Sequence, residues 1–368
     1  MGMEGGDAAI SPDVWIRLWR EAAAPKILAA CHGPCDDPVM PNDRDMADAS
    51  PPVMSTEREA ASVAAELIGV IVAVTGSQPR VLTIDKGRAL PSGPFESNER
   101  SLQASLRTWV ERQTHHPLGY MEQLYTFADP GRTGGLDRRV VSVSYLGLTR
   151  EAPVSGDPGA GWRDWYRFFP WEDRRHVSRL GTGPFAQGLL DWVDQAPDAE
   201  TRRRRHRRVE INFGLEHERW NEELILQRYE TLWEARLVPE AGANGAVPGG
   251  GMSSGAAPGD PMAHDHRRIL ATGIARLRAK IKYRPVVFEL MPPGFTLLQL
   301  QQTVEALAGS LLHKQNFRRL IDQQDLVEET GEMATETRGR PAKLFRFRRE
   351  VLAERAVMGS KLPLVRAV

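Results

Sequence analysis

The stretch Gly93-Pro-Phe-Glu-Ser-Asn-Glu99, continued by Arg107-Thr-Trp-Val-Glu-Arg112 and by Tyr120-Met-Glu-Gln-Leu-Tyr-Thr-Phe-Ala-Asp-Pro-Gly-Arg132, decides how this chain is read. Between its first two parts Leu102, Leu106, Trp109 and Val110 stand at i, i+4, i+7 and i+8, the spacing of one buried stripe on a helix. A surface helix with a chance set of polar residues would satisfy that spacing equally well.

The polar positions narrow the choice. Gly93, Glu99 and Arg107 have the spacing of the Nudix box, Gly-x5-Glu-x7-Arg-Glu-U-x-Glu-Glu-x-Gly-U with U apolar, and the stretch resembles it. Three positions depart: Thr108 and Arg112 stand where glutamates belong, and Thr114 replaces the glycine. A Nudix helix holds Mg²⁺ with carboxylates on one face, since Mg²⁺ prefers hard oxygen ligands. Here only Glu99 and Glu111 remain of the box carboxylates, and the Arg112 cation repels a divalent ion. The resemblance therefore implies a Nudix α/β/α sandwich that binds rather than hydrolyses, with no catalytic residue and no metal.

The third part is more specific. Tyr120 to Arg132 resembles a segment of the Nudix-related transcriptional regulators of NAD metabolism, the NrtR type, which read Leu-Glu-Gln-Leu-Tyr-Thr-Phe-Gly-Asp-Pro-x-Arg. The apolar run Arg139-Val-Val-Ser-Val-Ser-Tyr-Leu-Gly-Leu148 follows as a strand, as it does in that family.

Composition sets outer limits. The 368 residues suffice for two domains or three small ones. Formal net charge is zero, so nucleic-acid binding must come from local patches. Cys31 and Cys35 flank His32 without a second ligand pair and read as free thiols of a cytoplasmic protein. No run approaches the roughly 18–20 apolar residues of a membrane span, and the first residues lack the order of a signal peptide.

Along the chain, residues 1–61 are expected to be a disordered extension, unless translation starts at Met54. Residues 62–240 are expected to form the degenerate Nudix domain. Within it, residues 65–74 read as a strand buried on both faces, and residues 80–84 as its neighbour. The approach to Gly93 is shorter than in the family and lacks its Trp. Lys86, Arg88, Tyr125, Asp129 and Arg132 are expected to bound a nucleotide cleft, the arginines pairing with diphosphate and the tyrosine offering an aromatic face. Alternatively, Asp129-Pro-Gly-Arg132 only shapes a turn. Residues 151–240 are an atypical insertion resembling the alphaproteobacterial NadQ-type regulators. Its cluster Trp162, Trp165, Tyr166, Phe168, Phe169 and Trp171 reads as core or dimer anchors, and the arginine run 202–208 as a solvated helix face or a phosphate contact. Residues 241–262 read as a flexible linker.

The segment 263–350 is expected to hold a connecting helix over 264–282, with Leu270, Ile274, Leu277 and Ile281 inward, and a DNA-binding domain. Thr296-Leu-Leu-Gln299 is a capping box, Leu297, Leu300, Val304 and Leu307 give the buried face, and Gly309 ends the helix. The next helix begins at Lys314. Phe317, Leu320 and Ile321 are expected inward, with Lys314, Gln315, Asn316, Arg318 and Arg319 toward DNA. A hairpin with Arg338, Arg340 and Lys343 completes a winged helix-turn-helix. Residues 351–368 are a tail. The segments 295–301, 314–319 and 339–347 closely resemble the NrtR C-terminal domain. The alternative is a winged helix used only for protein contacts.

Together these imply a homodimeric repressor of NAD synthesis or salvage genes. It would bind double-stranded operator DNA and sense NAD, ADP-ribose or a related nucleotide as effector rather than cofactor. An active hydrolase of ADP-ribose or NADH, and a scaffold protein docking through the aromatic insertion, are the competing readings.

Overall fold

The computed structural model describes residues 64–95, 100–116, 118–128, 140–156, 158–176, 184–242, 257–334 and 341–350. The expected extension 1–61 and tail 351–368, residues 243–256 of the linker, and Glu99, Asp129, Arg132, Arg338 and Arg340 lie outside the described residues.

Strand β1 (Ala64–Thr75) organises the first domain. Its β-branched and aliphatic residues alternate between two buried faces, as the apolar run requires. Leu67 and Ile71 face one helix, and Ile68, Val70 and Val72 face the opposite layer. β2 (Gln78–Thr83) pairs antiparallel beside it and β3 (Ser92–Pro94) pairs with its start. After helix α1 (Leu102–Thr114) come β4 (Tyr120–Phe127) and β5 (Val140–Leu148). β5 runs parallel to β1, and the sheet order is β4-β5-β1-β2-β6, with β6 (Gly161–Asp164) at the edge.

Helix α1 covers one face through Leu106 and Val110, which meet Leu67, Ile71, Leu82, Val143 and Tyr145. Leu102 and Trp109 of the expected stripe are only half-buried. The other face carries a larger helical layer, so the domain is the expected α/β/α sandwich. The insertion builds part of that layer with α2 (Pro184–Asp194), α3 (Ala199–Phe213) and α4 (Ile225–Glu234). Its aromatics are core: Trp165, Phe168 and Phe169 are fully buried, and Tyr166 and Trp171 nearly so.

Two expectations need correction. The helix α5 (His266–Ile281), grouped by sequence with the DNA-binding segment, packs on the sheet and on α4, burying Ile269, Leu270, Ile274 and Leu277. Nor is the whole stretch 241–262 a free linker. Ala257 donates its N–H to Leu237 O at 2.7 Å, Arg167 pairs with Asp260 at 2.9 Å, and Met262 is buried. Gly/Ala/Pro composition marks low side-chain mass, but it does not prevent backbone groups from finding partners in a larger fold.

The second domain follows the turn at 286–290. Helix α6 (Leu297–Ala308) and helix α7 (Lys314–Gln324) precede the hairpin β7 (Val327–Ala334) and β8 (Ala342–Phe347). β7 and β8 pair antiparallel, with a register shift between Glu329 and Met333.

Candidate functional site

The geometry of the second domain begins at Thr296. Its hydroxyl accepts from Gln299 N at 3.2 Å while the Gln299 side chain accepts from Thr296 N at 2.7 Å, the reciprocal capping box. Gly309 closes α6 with φ +72°, a left-handed position that favours glycine. The turn into α7 is pinned from inside. Glu305 Oε1 accepts from Leu312 N at 2.9 Å and from Gln301 Nε2 at 2.8 Å, and Gln301 also donates to Leu312 O at 3.1 Å. Phe317 and Ile321 bury one side of α7. Leu320 is a correction: it is 40% exposed and not part of the inward face. It lies about 60° beyond Phe317 around the helix, past the edge of the contact with α6.

Lys314, Gln315, Asn316, Arg318 and Arg319 are all exposed. Among the described residues no hydrogen bond or ion pair engages their side chains. The hairpin differs. Lys343 pairs with Glu329 at 2.8 Å across the two strands, and Arg346 pairs with Glu328 at 2.6 Å. The hairpin is fixed to the domain by backbone bonds between Phe295 and Phe345, 2.8 and 2.9 Å, and by Phe288 stacked on Phe347 at 4.2 Å.

In the first domain the box-like residues engage their own chain. A Cβ on Gly93 would fall 2.2 Å from the Trp109 ring, so only glycine lets that indole lie across the strand. Trp109 Nε1 donates to Pro94 O at 3.0 Å and Gln113 Nε2 to Ser92 O at 2.8 Å. Arg107 donates to Leu118 O and, at 2.7 Å, to Gly119 O, clamping the loop that follows. The Thr108 hydroxyl donates to Ala104 O at 3.2 Å, and the Arg112 guanidinium lies 4.7 Å from the Trp109 ring. Thr114 is helical and its hydroxyl donates to Val110 O at 2.6 Å. The left-handed cap of the helix is His115, at φ +50°. Glu111 is exposed and is the single described carboxylate of the box. Among the described residues, the one trio of close metal-type donors is His206, Glu210 and Glu216, on and after α3 rather than on α1, and Arg207 already pairs with Glu210 at 3.3 Å.

The expected cleft residues are dispersed. Lys86 lies within a 3-10 turn after β2 and Arg88 caps it, and Lys86 N donates to Gly159 O at 2.8 Å. Tyr125, 61% exposed, stands on β4. β5 and β1 lie between β4 and β2, about 14 Å of sheet. Tyr125 bonds through its backbone to Ser144 at the middle of β5, and the structure does not bring the three into contact.

Residues 287–347 match the family described as the NrtR DNA-binding winged helix domain. These residues form an NrtR-type winged helix. The chain is also 41% identical over 86 residues to the ADPR responsive transcriptional repressor NtrR of Acinetobacter baylyi, covering 23% of this chain and 34% of that protein. It thus spans about a third of the length of the curated relative it matches. Among solved structures it is similar to Shewanella oneidensis NrtR complexed with a 27mer DNA, with 20% identity, TM-score 0.46, and 78% of this chain and 95% of that chain covered. It is similar as well to a MutT/nudix family protein from Enterococcus faecalis, with 16% identity, TM-score 0.46, and 92% and 94% covered.

Sequence reading missed two pieces. Gln301 and Glu305 set the turn of the NrtR-type winged helix, and both are nearly buried. The signal was available: they stand at i and i+4 beside the apolar stripe of a helix with no other acid. The second is Glu66, an acid inside the apolar run of β1. Burial pushes its carboxyl up, against hydrogen bonds with Ser92 and Ser142. Among the described residues no helix is long and apolar enough to cross a membrane.

Proposed function

We propose that this protein is a DNA-binding transcriptional repressor whose α/β/α domain senses ADP-ribose, NAD or a related nucleotide. The observation that carries this reading is the face of α7, which presents five polar or basic side chains without partners among the described residues, inside an NrtR-type winged helix. Asn and Gln side chains can read adenine and Arg can read guanine in a major groove. The expected wing contacts, Arg338, Arg340 and Lys343, would add phosphate or minor-groove binding. The name of the Acinetobacter relative supports ADP-ribose as effector, and the family resemblance supports NAD synthesis or salvage genes as targets.

The sensor is read as non-hydrolytic. Glu111 lacks described carboxylate neighbours on α1, and Arg112 places a cation there. The cleft is assigned to Lys86, Arg88 and Tyr125, with Asp129 and Arg132 from the sequence reading. A twofold operator calls for a twofold protein, and the assembly is proposed to be a dimer through the sheet domain.

Fluorescence anisotropy on the native upstream DNA and on scrambled DNA, with and without ADP-ribose or NAD, tests the whole reading. The expected result is tighter binding to the native sequence and a shift of affinity by nucleotide. Equal binding to both DNAs would overturn it. Sustained turnover of ADP-ribose or NADH with Mg²⁺ or Mn²⁺, abolished by Glu111→Gln, would instead establish the hydrolase. Sedimentation of a monomer at micromolar concentration would remove the dimer.

A further inference from the structure

Where the winged helix meets the sheet domain, three charged side chains, Glu172, Arg228 and Arg278, have no exposed surface. Arg228 donates through Nε to Glu172 Oε1 at 2.6 Å and through Nη2 to Oε2 at 2.8 Å. Arg278 Nη1 donates to the same Oε2 at 2.6 Å. One carboxylate therefore serves two guanidiniums, and burial of the surplus positive charge needs other acceptors. Backbone carbonyls supply them. Arg228 Nη1 reaches Asn212 O at 2.8 Å and Asn221 O at 2.9 Å. Arg278 reaches Glu222 O at 2.9 Å through Nη1 and Leu307 O at 2.8 Å through Nε. Asn212 and Leu307 lie in the last turns of α3 and α6, where carbonyls lack helical partners and the helix dipole is negative.

More bonds converge on the same last turn of α6. The Tyr166 hydroxyl donates to Ala306 O at 2.7 Å, and Arg174 N donates to Gly309 O at 2.7 Å. A Cβ on Gly309 would come 2.2 Å from Glu172 O, so the seam closes only over glycine. From there Glu305 and Gln301 hold the turn that starts α7. The first helix of the winged domain is thus bonded, within one helical turn, to the insertion and to α5.

We propose that this seam is the coupling element between sensor and DNA reader. The insertion segment 161–174, with Arg228 and Arg278, positions the end of α6 on the sensor's helical layer, so that α7 moves with that layer. Tyr166, Glu172, Arg228 and Arg278 are positioning residues that touch neither nucleotide nor DNA. The role assigned to the seam rests on the proposed sensor-regulator function.

The test uses the full chain with Tyr166→Phe, Arg278→Lys and Gly309→Ala, each checked for native circular dichroism. Hydrogen exchange reads the α6 amides against those of β1. Anisotropy on the native upstream DNA, with and without saturating ADP-ribose, reads the coupling ratio. In wild type that ratio is expected between about 5 and 150, and the α6 amides are expected to be protected. In Arg278→Lys and Gly309→Ala the α6 amides should exchange at least about tenfold faster while β1 is unchanged. The ratio should fall toward one, with nucleotide affinity kept. Wild-type protection of α6 and an undiminished ratio in the folded variants would overturn the proposal. Should the two stronger variants fail to fold, Tyr166→Phe removes a single hydroxyl and is judged by the same two outcomes at smaller amplitude. A wild-type ratio of one defeats the sensor reading itself, and the exchange pattern then still decides whether the seam holds α6.

Discussion

Helices α1 and α7 are built from similar residues and use them in opposite ways. Each is short and amphipathic, with arginines, glutamines and one acid on its polar side. In α1 those side chains close on their own chain: Arg107 clamps a loop, Gln113 and Trp109 hold β3, and Thr108 and Thr114 bond back into the helix. In α7 Lys314, Gln315, Asn316, Arg318 and Arg319 stand in solvent. A polar group satisfied internally contributes to rigidity and has little left for a ligand. One that is left hydrated can exchange water for a base edge at modest cost. The helix with the box-like spacing is accordingly the structural one, and the exposed face of α7 is the one proposed above as the reader.

The strongest way to break that contrast is from beneath α7. Phe317→Ala should lower stability by about 3–5 kcal/mol through a cavity, measured by denaturant unfolding. A loss below about 1 kcal/mol would mean that α7 is not anchored by its buried edge, and its exposed face would lose its meaning as a fixed reading surface.

The α1 side can be sharpened by pH. His266 accepts from Leu90 N at 2.9 Å through Nδ1, just ahead of the strand that α1 grips, and burial pulls its pKa down to about 4. The unfolded chain takes up the proton near pH 6.5 whereas the native one stays neutral to about 4. Stability should therefore fall as pH drops between those values, by about 3 kcal/mol in total, with no contribution above pH 7. His266→Gln should flatten that part of the stability–pH curve. An unchanged slope would show that the imidazole is protonated in the fold.

On the reading face, Arg318→Ala and Gln315→Ala should each cost about 1–3 kcal/mol of DNA affinity and relax sequence preference. Their effect on unfolding should stay within about 0.5 kcal/mol. A stability loss without an affinity loss would make α7 resemble α1. The smallest effect belongs to the wing. Lys343→Ala removes an exposed pair with Glu329, worth about 0.2–1 kcal/mol of stability at most. Arg340→Ala is expected to reduce the salt slope of DNA binding by about one unit for all sequences alike.

Much of this contrast was legible in the residues. The capping box at Thr296, the stop at Gly309 and the inward pair Phe317 and Ile321 follow from local pattern, because caps and helical periodicity act within a few residues. The alternation along β1 was legible for the same reason. The disposal of Arg107 and Gln113 was not. Their partners, Leu118, Gly119 and Ser92, are set by how a loop and a strand fold back on the helix. The exposure of Leu320 was missed because an apolar residue near the edge of a stripe is buried only if a neighbour reaches it. Residues 257–262 were missed because composition reports side chains, while their contacts are largely backbone.

By itself the sequence determined the main elements of both domains, the two-faced central strand, the departures from the box and the exposed face of α7, since each depends on residues close together in the chain. The tertiary structure decided where α5 belongs, which arginines are spoken for and what joins the two domains. Glu172, Arg228 and Arg278 are 56 and 106 residues apart from one another in the chain, counted from the glutamate. Only the packing of the insertion, α4, α5 and the end of α6 removes water from all three at once. Without that water, a lone carboxylate and the carbonyl ends of two helices become the groups that hold two buried cations in place.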